Sequence, residues 1–466
     1  MNRLTPALSL AVCALLAAAL PARAETEAAG RQPVPSRSAP RQSAPSRSVP
    51  HADSYGTKAP YAPRQSARDY QRPPAGFTAV FTENVSRHGS RAATDGEDGD
   101  LVLALWDRAR AAGALTRRGE EFGSRTRALL DAMATVGYGD LSARGEREMR
   151  ETARRTAARL PSLFTRIAAD GERIDVVSSG QGRAVDSADL YAGALADADP
   201  ALKPLIGPTR TDKDLHYFHK AAGGAAYRDY LANDRRLADT LRSVTDQPRT
   251  HQAARGVLRR LFRAGFVAGL STADQVAAAT AVYNLYAIAP AMSEESPGGG
   301  GWGMQRYVSA SDAAWFGYLS DTEDFYEKGP GFADSDITYR MAGVLLDDFF
   351  GQVEKKRSGT GTLGAELRFT HAEEIIPLAA LMGLPGSTKP VTADRPYTYA
   401  GNPWRGASVA PLGSNIQWDV YERDGRYLVR MLYNEKETAF RAGCRPITRG
   451  SVFYDLDELE RCFGRA

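Results

Sequence analysis

The chain has 466 residues, 43% of them hydrophobic, enough to build a sizeable core without disulfide staples or a metal. Its formal charge of +3 sits at the front: residues 1–24 contribute +2 and residues 25–74 a further +4. The remainder is slightly acidic, so the basic isoelectric point belongs to the leading segments and does not argue for nucleic acid.

Met1 to Ala24 reads as a secretory signal, with Arg3 as a positive n-region, an apolar run from Leu8 to Leu20 and Ala22-Arg23-Ala24 as a cleavage site. That run is short for a membrane span and ends at Pro21, and Val12 before Cys13 is too large for the usual lipoprotein pattern. The expectation is export, extracellular or periplasmic. Removal of the signal leaves Cys444 and Cys462, an even pair expected to form a disulfide worth about 3 kcal/mol. Residues 25–74 hold nine of the 26 prolines amid Ser and Arg, a composition that predicts a disordered tether. Weak attraction of this basic tail to an anionic cell wall is the sharper expectation for it. No membrane span and no nucleic-acid partner are expected.

Phe77-Thr78-Ala79-Val80-Phe81 is a β-branched and aromatic run, read as a buried strand. It leads into Asn84-Val85-Ser86-Arg87-His88-Gly89-Ser90-Arg91, read as a polar turn at the carboxyl edge of a sheet, where open α/β sheets bind ligands. Helices are expected over Asp100–Ala112, Arg118–Thr135 and, as one long element, Ala143–Ala168. A second short strand, Ile174–Ser179, ends in Gly180-Gln181-Gly182-Arg183 and is followed by a helix from Ala184 to Leu195. Residues from about 200 to 335 are nearly all helical in pattern, clearest over Tyr227–Arg242, Ala253–Ala268 and Thr272–Ile288, the last capped by Ser271. This block is read as a helical cap inserted in one domain spanning 75–466. The sheet resumes after a helix from Ile337 to Lys355. Glu366–Thr370 is strand-like and runs into His371-Ala372-Glu373-Glu374 and a helix to Met382. Asp424-Gly425 then joins two alternating strands, Ile416–Tyr421 and Tyr427–Leu432, as a hairpin.

The chemistry-bearing residues fall at the ends of these strands. Arg87, Arg91 and Arg183 offer guanidinium forks suited to phosphate oxygens, and His88 lies between two of them as a candidate nucleophile. His371 follows another strand and can hydrogen-bond a phosphate oxygen, while Glu373 could give a proton to a leaving alcohol. Thr370-x-x-Glu373 also fits a capping box, which would make Glu373 structural. His219 and Lys220, in a stretch that also holds His216, could line a polyanion pocket or form an ordinary surface turn. No Walker loop, HExxH, acidic calcium loop or mixed Cys/His cluster occurs, so neither a metal nor another cofactor is expected.

Arg87-His88-Gly89-Ser90-Arg91 and His371-Ala372-Glu373 together resemble the histidine acid phosphatases, in the branch of the multiple inositol polyphosphate phosphatases. The resemblance runs from about Phe77 to the C-terminal cysteines and takes in Ser178–Ser187 and Leu432-Tyr433-Asn434-Glu435. It implies a histidine-phosphatase-like α/β sheet flanked by helices, with His88 as nucleophile and Glu373 as proton donor. Arg87, Arg91, Arg183 and His371 would hold the phosphate. One departure is Ala93, where the family pattern has proline. The expected activity is metal-independent hydrolysis of inositol polyphosphates such as phytate. The alternatives are a broad acid phosphatase and a non-catalytic, wall-associated phosphate-binding module.

Overall fold

The computed structural model describes residues 51–465; the expected signal segment and the first half of the basic tail lie outside the described residues. Its centre is an eight-stranded mixed sheet. The strands are β1 (Thr78–Arg87), β2 (Arg173–Ser178), β3 (Arg210–Thr211), β4 (Leu363–Thr370), β5 (Asn415–Arg423), β6 (Arg426–Tyr433), β7 (Lys436–Glu437) and β8 (Phe453–Asp455). Their order is β3-β2-β4-β1-β5-β6-β7, with β8 also paired to β6. From β3 to β1 neighbours run parallel, whereas β5 lies antiparallel to β1 and starts an antiparallel half. The β5–β6 hairpin turns at Asp424 and Gly425, both with positive φ, as the sequence predicts.

Apolar residues cover both faces of this sheet. On one side α3 (Ala143–Arg159), α4 (Pro161–Asp170) and α5 (Gly182–Ala198) place Met149, Leu163 and Tyr191 against Val176, Leu367 and Phe369. On the other, Phe349, Phe350, Ile375 and Ile376 meet Phe81, Trp418 and Met431. These come from α13 (Gly343–Arg357) and α14 (Ala372–Leu381), which follow seven helices of the cap region. The seven are α6 (Lys213–His216), α7 (Ala225–Asn233), α8 (Arg235–Thr245), α9 (Pro248–Leu261), α10 (Ala264–Ala268), α11 (Thr272–Ile288) and α12 (Ala310–Glu327). Two short C-terminal helices, α15 (Gly406–Val409) and α16 (Leu456–Phe463), complete the set. The Cys444–Cys462 disulfide is present, with a Cα separation of 5.2 Å, and ties α16 to the loop before β8.

Several boundaries differ from the sequence reading, each for a local reason. The helix expected over Ala143–Ala168 breaks at Leu160 because Pro161 can only open a new helix, α4. Tyr227–Arg242 is likewise two helices, since Asp234 leaves the helix and caps α8 by accepting from Leu237 N. The polar run Asn84-Val85-Ser86 is not a turn: β1 continues to Arg87, because Asn84 is buried and accepts a hydrogen bond from Arg368 N on β4. The cap also has a different make-up. Its core joins α9 and α11 to α1 (Glu97–Ala111) and α2 (Arg117–Val136), where Trp106, Phe122, Leu129 and Met133 pack on Val257, Leu261 and Val282. The helical lobe is thus built from two separate stretches of chain, whereas α8 packs its Leu237 and Val244 into the core beneath the sheet.

The largest correction concerns the expected tail. Residues 51–74 pack against the body as a strap. Tyr61 is buried, its hydroxyl donating to Glu435 Oε2 (2.8 Å), and Tyr55 stacks on Tyr286. Arg64 N donates to Asn434 O, and Tyr70 donates to Glu435 O. Residues 25–50 contain no aromatic residue while 51–74 contain Tyr55, Tyr61 and Tyr70, so one composition averaged over 25–74 hides the boundary.

Candidate active site

Three parallel strands end side by side, and their register brings the two sequence motifs together. Arg87 at the end of β1 lies opposite Thr370 of β4, and Ser178 of β2 opposite Phe369. The next residues extend the pairing: His88 N donates to Thr370 O (2.9 Å) and Ser179 N to Phe369 O (3.1 Å). Hence His88, Ser179 and His371 share one sheet edge, with the His88 and His371 ring centroids 5.4 Å apart. Two helices start from this edge, α5 behind Gln181 and α14 behind His371, neither with a side-chain cap. Their amino ends aim positive partial charge at whatever lies above the strands.

His88 is 2% exposed. Its Nδ1 lies 2.9 Å from Gly89 O, and a carbonyl can only accept, so Nδ1 carries the proton and Nε2 keeps its lone pair. The loop after it is fixed from several sides. Glu148 of α3 accepts from Ser90 N (2.9 Å) and Ser90 Oγ (3.0 Å), while Gly89 N donates to Ser187 Oγ (3.2 Å) on α5. Gly89 faces Gly145 so closely that a Cβ on it would lie 2.5 Å from Gly145 O. Arg87 is held by Thr57 O (2.7 Å) of the strap and by Ala410 O (2.6 Å).

The site carries concentrated positive charge. Burial, then the guanidiniums of Arg183 and Arg87, pull Arg91 down to about 9. Burial pulls Arg87 down to about 10 against the attraction of Glu373 and Asp324. Burial and the neighbouring Arg87 and Arg183 hold the His88 imidazole well below its usual value, so it is neutral at physiological pH. Arg87, Arg91 and Arg183 each leave a buried Nε without a hydrogen-bond partner, and so does Nδ1 of His371. Cations crowded together with unused donors suit a multiply charged anion, whose binding relieves their mutual repulsion.

The structure places Glu373 at the rim of this edge, its side chain 32% exposed and its Oε1 3.3 Å from Lys328 Nζ. The capping-box alternative is not what forms. Thr370 Oγ1 donates to His216 O (2.7 Å) and lies 2.9 Å from Glu374 Oε2, so the neighbouring glutamate, not Glu373, is the one built into the scaffold. Burial opposes ionisation of Glu373, yet Lys328, His219, His371 and Arg87 together hold its carboxyl well below the usual range.

Of His219 and Lys220, the first is buried and its Nδ1 bonds Glu374 Oε1 (2.5 Å), while the Lys220 side chain is exposed. His219 is therefore no surface turn residue. Tyr217 joins it to the site, its ring 4.6 Å from His219 and 5.3 Å from His371. Ala93 lines a recess of about 150 Å³ beside Arg91 together with Lys58 of the strap. Sequence reasoning missed Lys58, Ser179 as a partner of His371 Nε2 (2.8 Å) and Lys328. Lys328 had a signal: it is the lone cation after Asp321, Glu323, Asp324 and Glu327. Among the described residues no group of three or more His, Cys, Asp or Glu is placed to hold a metal ion, and no helix is long and apolar enough to cross a membrane.

Residues 81–434 match the family model described as histidine phosphatase superfamily (branch 2). The solved structure of the Bifidobacterium longum multiple inositol polyphosphate phosphatase in complex with inositol hexasulfate is similar, with a TM-score of 0.82 and 30% identity. That match covers 88% of this chain and 97% of that one. Multiple inositol polyphosphate phosphatase 1 of Gallus gallus is 28% identical over 345 residues, 69% of this chain and 70% of that protein. Its Homo sapiens counterpart is 26% identical over 320 residues, 64% of this chain and 61% of that protein.

Proposed function

The chain belongs to branch 2 of the histidine phosphatase superfamily, a family of hydrolases, and on that premise we propose that it removes phosphate from inositol polyphosphates such as phytate through a phosphohistidine intermediate. One observation carries the reading. A neutral, buried His88 with its Nε2 lone pair available stands within a ring of guanidiniums that have unused donors.

In this reading Arg87, Arg91, Arg183 and His371 bind the three peripheral phosphate oxygens and cancel their charge. The His88 Nε2 lone pair attacks phosphorus in line, and the bond to the inositol oxygen breaks. Glu373 gives that oxygen its proton as it leaves. Glu373, now ionised, then takes a proton from water, whose oxygen attacks the phosphohistidine and returns His88 to its starting state. A phosphate dianion beside Glu373 offsets the cations that hold its carboxyl ionised, so substrate binding itself helps to load the proton. His219 keeps its place behind His371 through Tyr217 and Glu374.

We also infer export, from the Met1–Ala24 leader, with the basic stretch before residue 51 as a weak wall contact. Mass measurement of the mature amino terminus tests the export. The activity is tested by phosphate release from inositol hexakisphosphate beside p-nitrophenyl phosphate, with chelator present. Release from both, with higher kcat/KM for the inositol ester, is expected. Preference for the nitrophenyl ester would make the protein a broad acid phosphatase, and release from neither would overturn the reading.

A further inference from the structure

The amino end of α2 opens on two cations, with Glu120 the acidic residue of its first turn. Acidic residues are favoured in a first turn and cations are not, because the helix end already carries positive partial charge. Here the first two helical residues are Arg117 and Arg118, both exposed. Thr116 caps the turn by accepting from Gly119 N, and Glu120 N donates to Thr116 O. The amides of Arg117 and Arg118 are left to point outward.

These residues line a cavity of about 640 Å³ with Glu121, Arg260, Gln305, Arg306 and Tyr307. Arg260 comes from the end of α9 and Arg306 from the turn before α12, so three separate segments bring guanidiniums to one space. Glu121 is the only carboxylate in the lining, and Arg125 (3.6 Å) and Arg306 (3.8 Å) share it. Among the described residues Arg117, Arg118 and Arg260 have no ion pair. Tyr307 is 1% exposed, and its hydroxyl lies at the cavity wall beside Arg125. Four arginines against one glutamate, beside the amino end of α2, make a recess for an anion with several charged groups.

This cavity is distinct from the catalytic edge. The recess beside Arg91 is lined by Leu130 and Met133 in the second half of α2. Leu130 lies twelve helical steps after Arg118, a run of about 18 Å at ~1.5 Å per residue. One helix therefore reaches from the basic cavity to the wall of the phosphate site.

We propose that the basic cavity between α2, α9 and the turn before α12 is a second, non-catalytic binding site for an oligophosphorylated small molecule of inositol polyphosphate type. Its volume falls in the range of small-molecule sites, and four guanidiniums can engage two or more phosphates at once. The identity of the anion as an inositol polyphosphate rests on the function proposed above; the existence of the site does not.

The test is calorimetric titration of the full chain with inositol hexasulfate, the compound bound in the Bifidobacterium longum complex. Two sites per chain are expected. Arg117→Gln with Arg118→Gln should weaken one of them about tenfold or more, as loss of two charge contacts predicts, and leave kcat/KM for p-nitrophenyl phosphate unchanged. Arg306→Gln supplies the same readout if the double variant misfolds. A one-site isotherm for the native chain, or two sites unchanged in both variants, overturns the proposal. Tripolyphosphate displacing the second hexasulfate at tenfold lower concentration would also overturn it, in favour of linear polyphosphates. A chain inactive on every phosphate ester but still binding two hexasulfates would refute the catalytic reading and leave the second site standing.

Discussion

Lys328 Nζ lies 3.3 Å from Glu373 Oε1 and 2.8 Å from Asp324 Oδ1, so the carboxyl proposed to give up a proton is itself half of an ion pair. Burial disfavours the charged lysine, but Asp324, Glu373 and Glu327 hold its ammonium well above the usual range. The pairing keeps Glu373 ionised in the free protein and leaves the bound phosphate to shift it. In the proposed mechanism turnover of alkyl phosphates needs protonated Glu373, so it falls as pH rises through the value Glu373 has in the complex. Lys328→Met removes a cation that favours the ionised form and must raise that value. The basic limb of the kcat–pH profile should therefore move to higher pH. A limb that stays put or moves down would show that Lys328 does not set the acid.

Glu373→Gln keeps the size of the side chain and loses the proton. An inositol alkoxide is a poor leaving group and nitrophenolate a good one, so single-turnover phosphorylation should slow by about 10²–10⁴-fold for inositol phosphates. The nitrophenyl ester should lose far less. Because no capping bond depends on Glu373, the melting temperature should stay close to that of the native chain. Equal losses on both substrates with a sharp drop in melting temperature would return Glu373 to a structural role.

His88→Ala should abolish turnover by at least ~10⁴-fold, as loss of a covalent nucleophile does. Rapid quenching of the native chain in base should trap acid-labile phosphate on His88. Phosphate on a serine would refute the assignment. Exhaustive EDTA treatment should leave the rate unchanged, and a loss restored by zinc or magnesium would contradict the proposed chemistry.

Gly89→Ala tests how rigidly His88, the proposed nucleophile, is held. Its Cβ would meet backbone, Gly145 O, and backbone cannot swing aside as a side-chain tip can. The loop must move, and a displacement of about 1 Å costs on the order of 10²-fold in rate. We expect that loss in kcat with the fold retained by circular dichroism. An unchanged kcat would mean that the α3 amino end yields instead.

Arg368, fully buried on β4, meets Glu83 Oε2 of β1 at 2.9 Å, Glu366 Oε2 at 3.3 Å and Asp348 Oδ2 at 2.5 Å. Arg368→Met leaves Glu83 without its cation, and Glu366 with only Arg210 at 3.8 Å, between the two strands that lead to His88 and His371. A loss of about 3–5 kcal/mol in urea unfolding is expected. A change within experimental error would mean that the carboxylates take up protons at little cost.

Much of the site was legible because its residues sit at strand ends, where the polar sequence interrupts an apolar run. Arg87, His88 and His371 could be placed at one edge from those interruptions, and the register of β1 and β4 brings them side by side, while Arg183 lies beyond β2 in the first turn of α5. Lys328 was harder to see because it follows a cap helix, 45 residues before the glutamate it pairs with, and only the tertiary fold joins them. The α1–α2 share of the helical lobe was hidden for the same reason: periodicity shows that a helix has an apolar face but not what that face meets. The Asn84–Ser86 error came from reading polar residues as exposed, when here they make hydrogen bonds inside a sheet.

The strap has a consequence for the order in which the chain assembles. Thr57 supplies one of the two carbonyls that hold Arg87, and Ala410 the other. Tyr61, Arg64 and Tyr70, which pin the strap, find their partners at Asn434 and Glu435. Tyr61 thus leaves the ribosome 374 residues before Glu435, the partner on which it docks. Until the strap docks, Arg87 lacks the Thr57 carbonyl, and a nascent chain carries Arg87 and His88 without the finished cradle. The cradle around Arg87 is completed only when the strap meets Asn434 and Glu435.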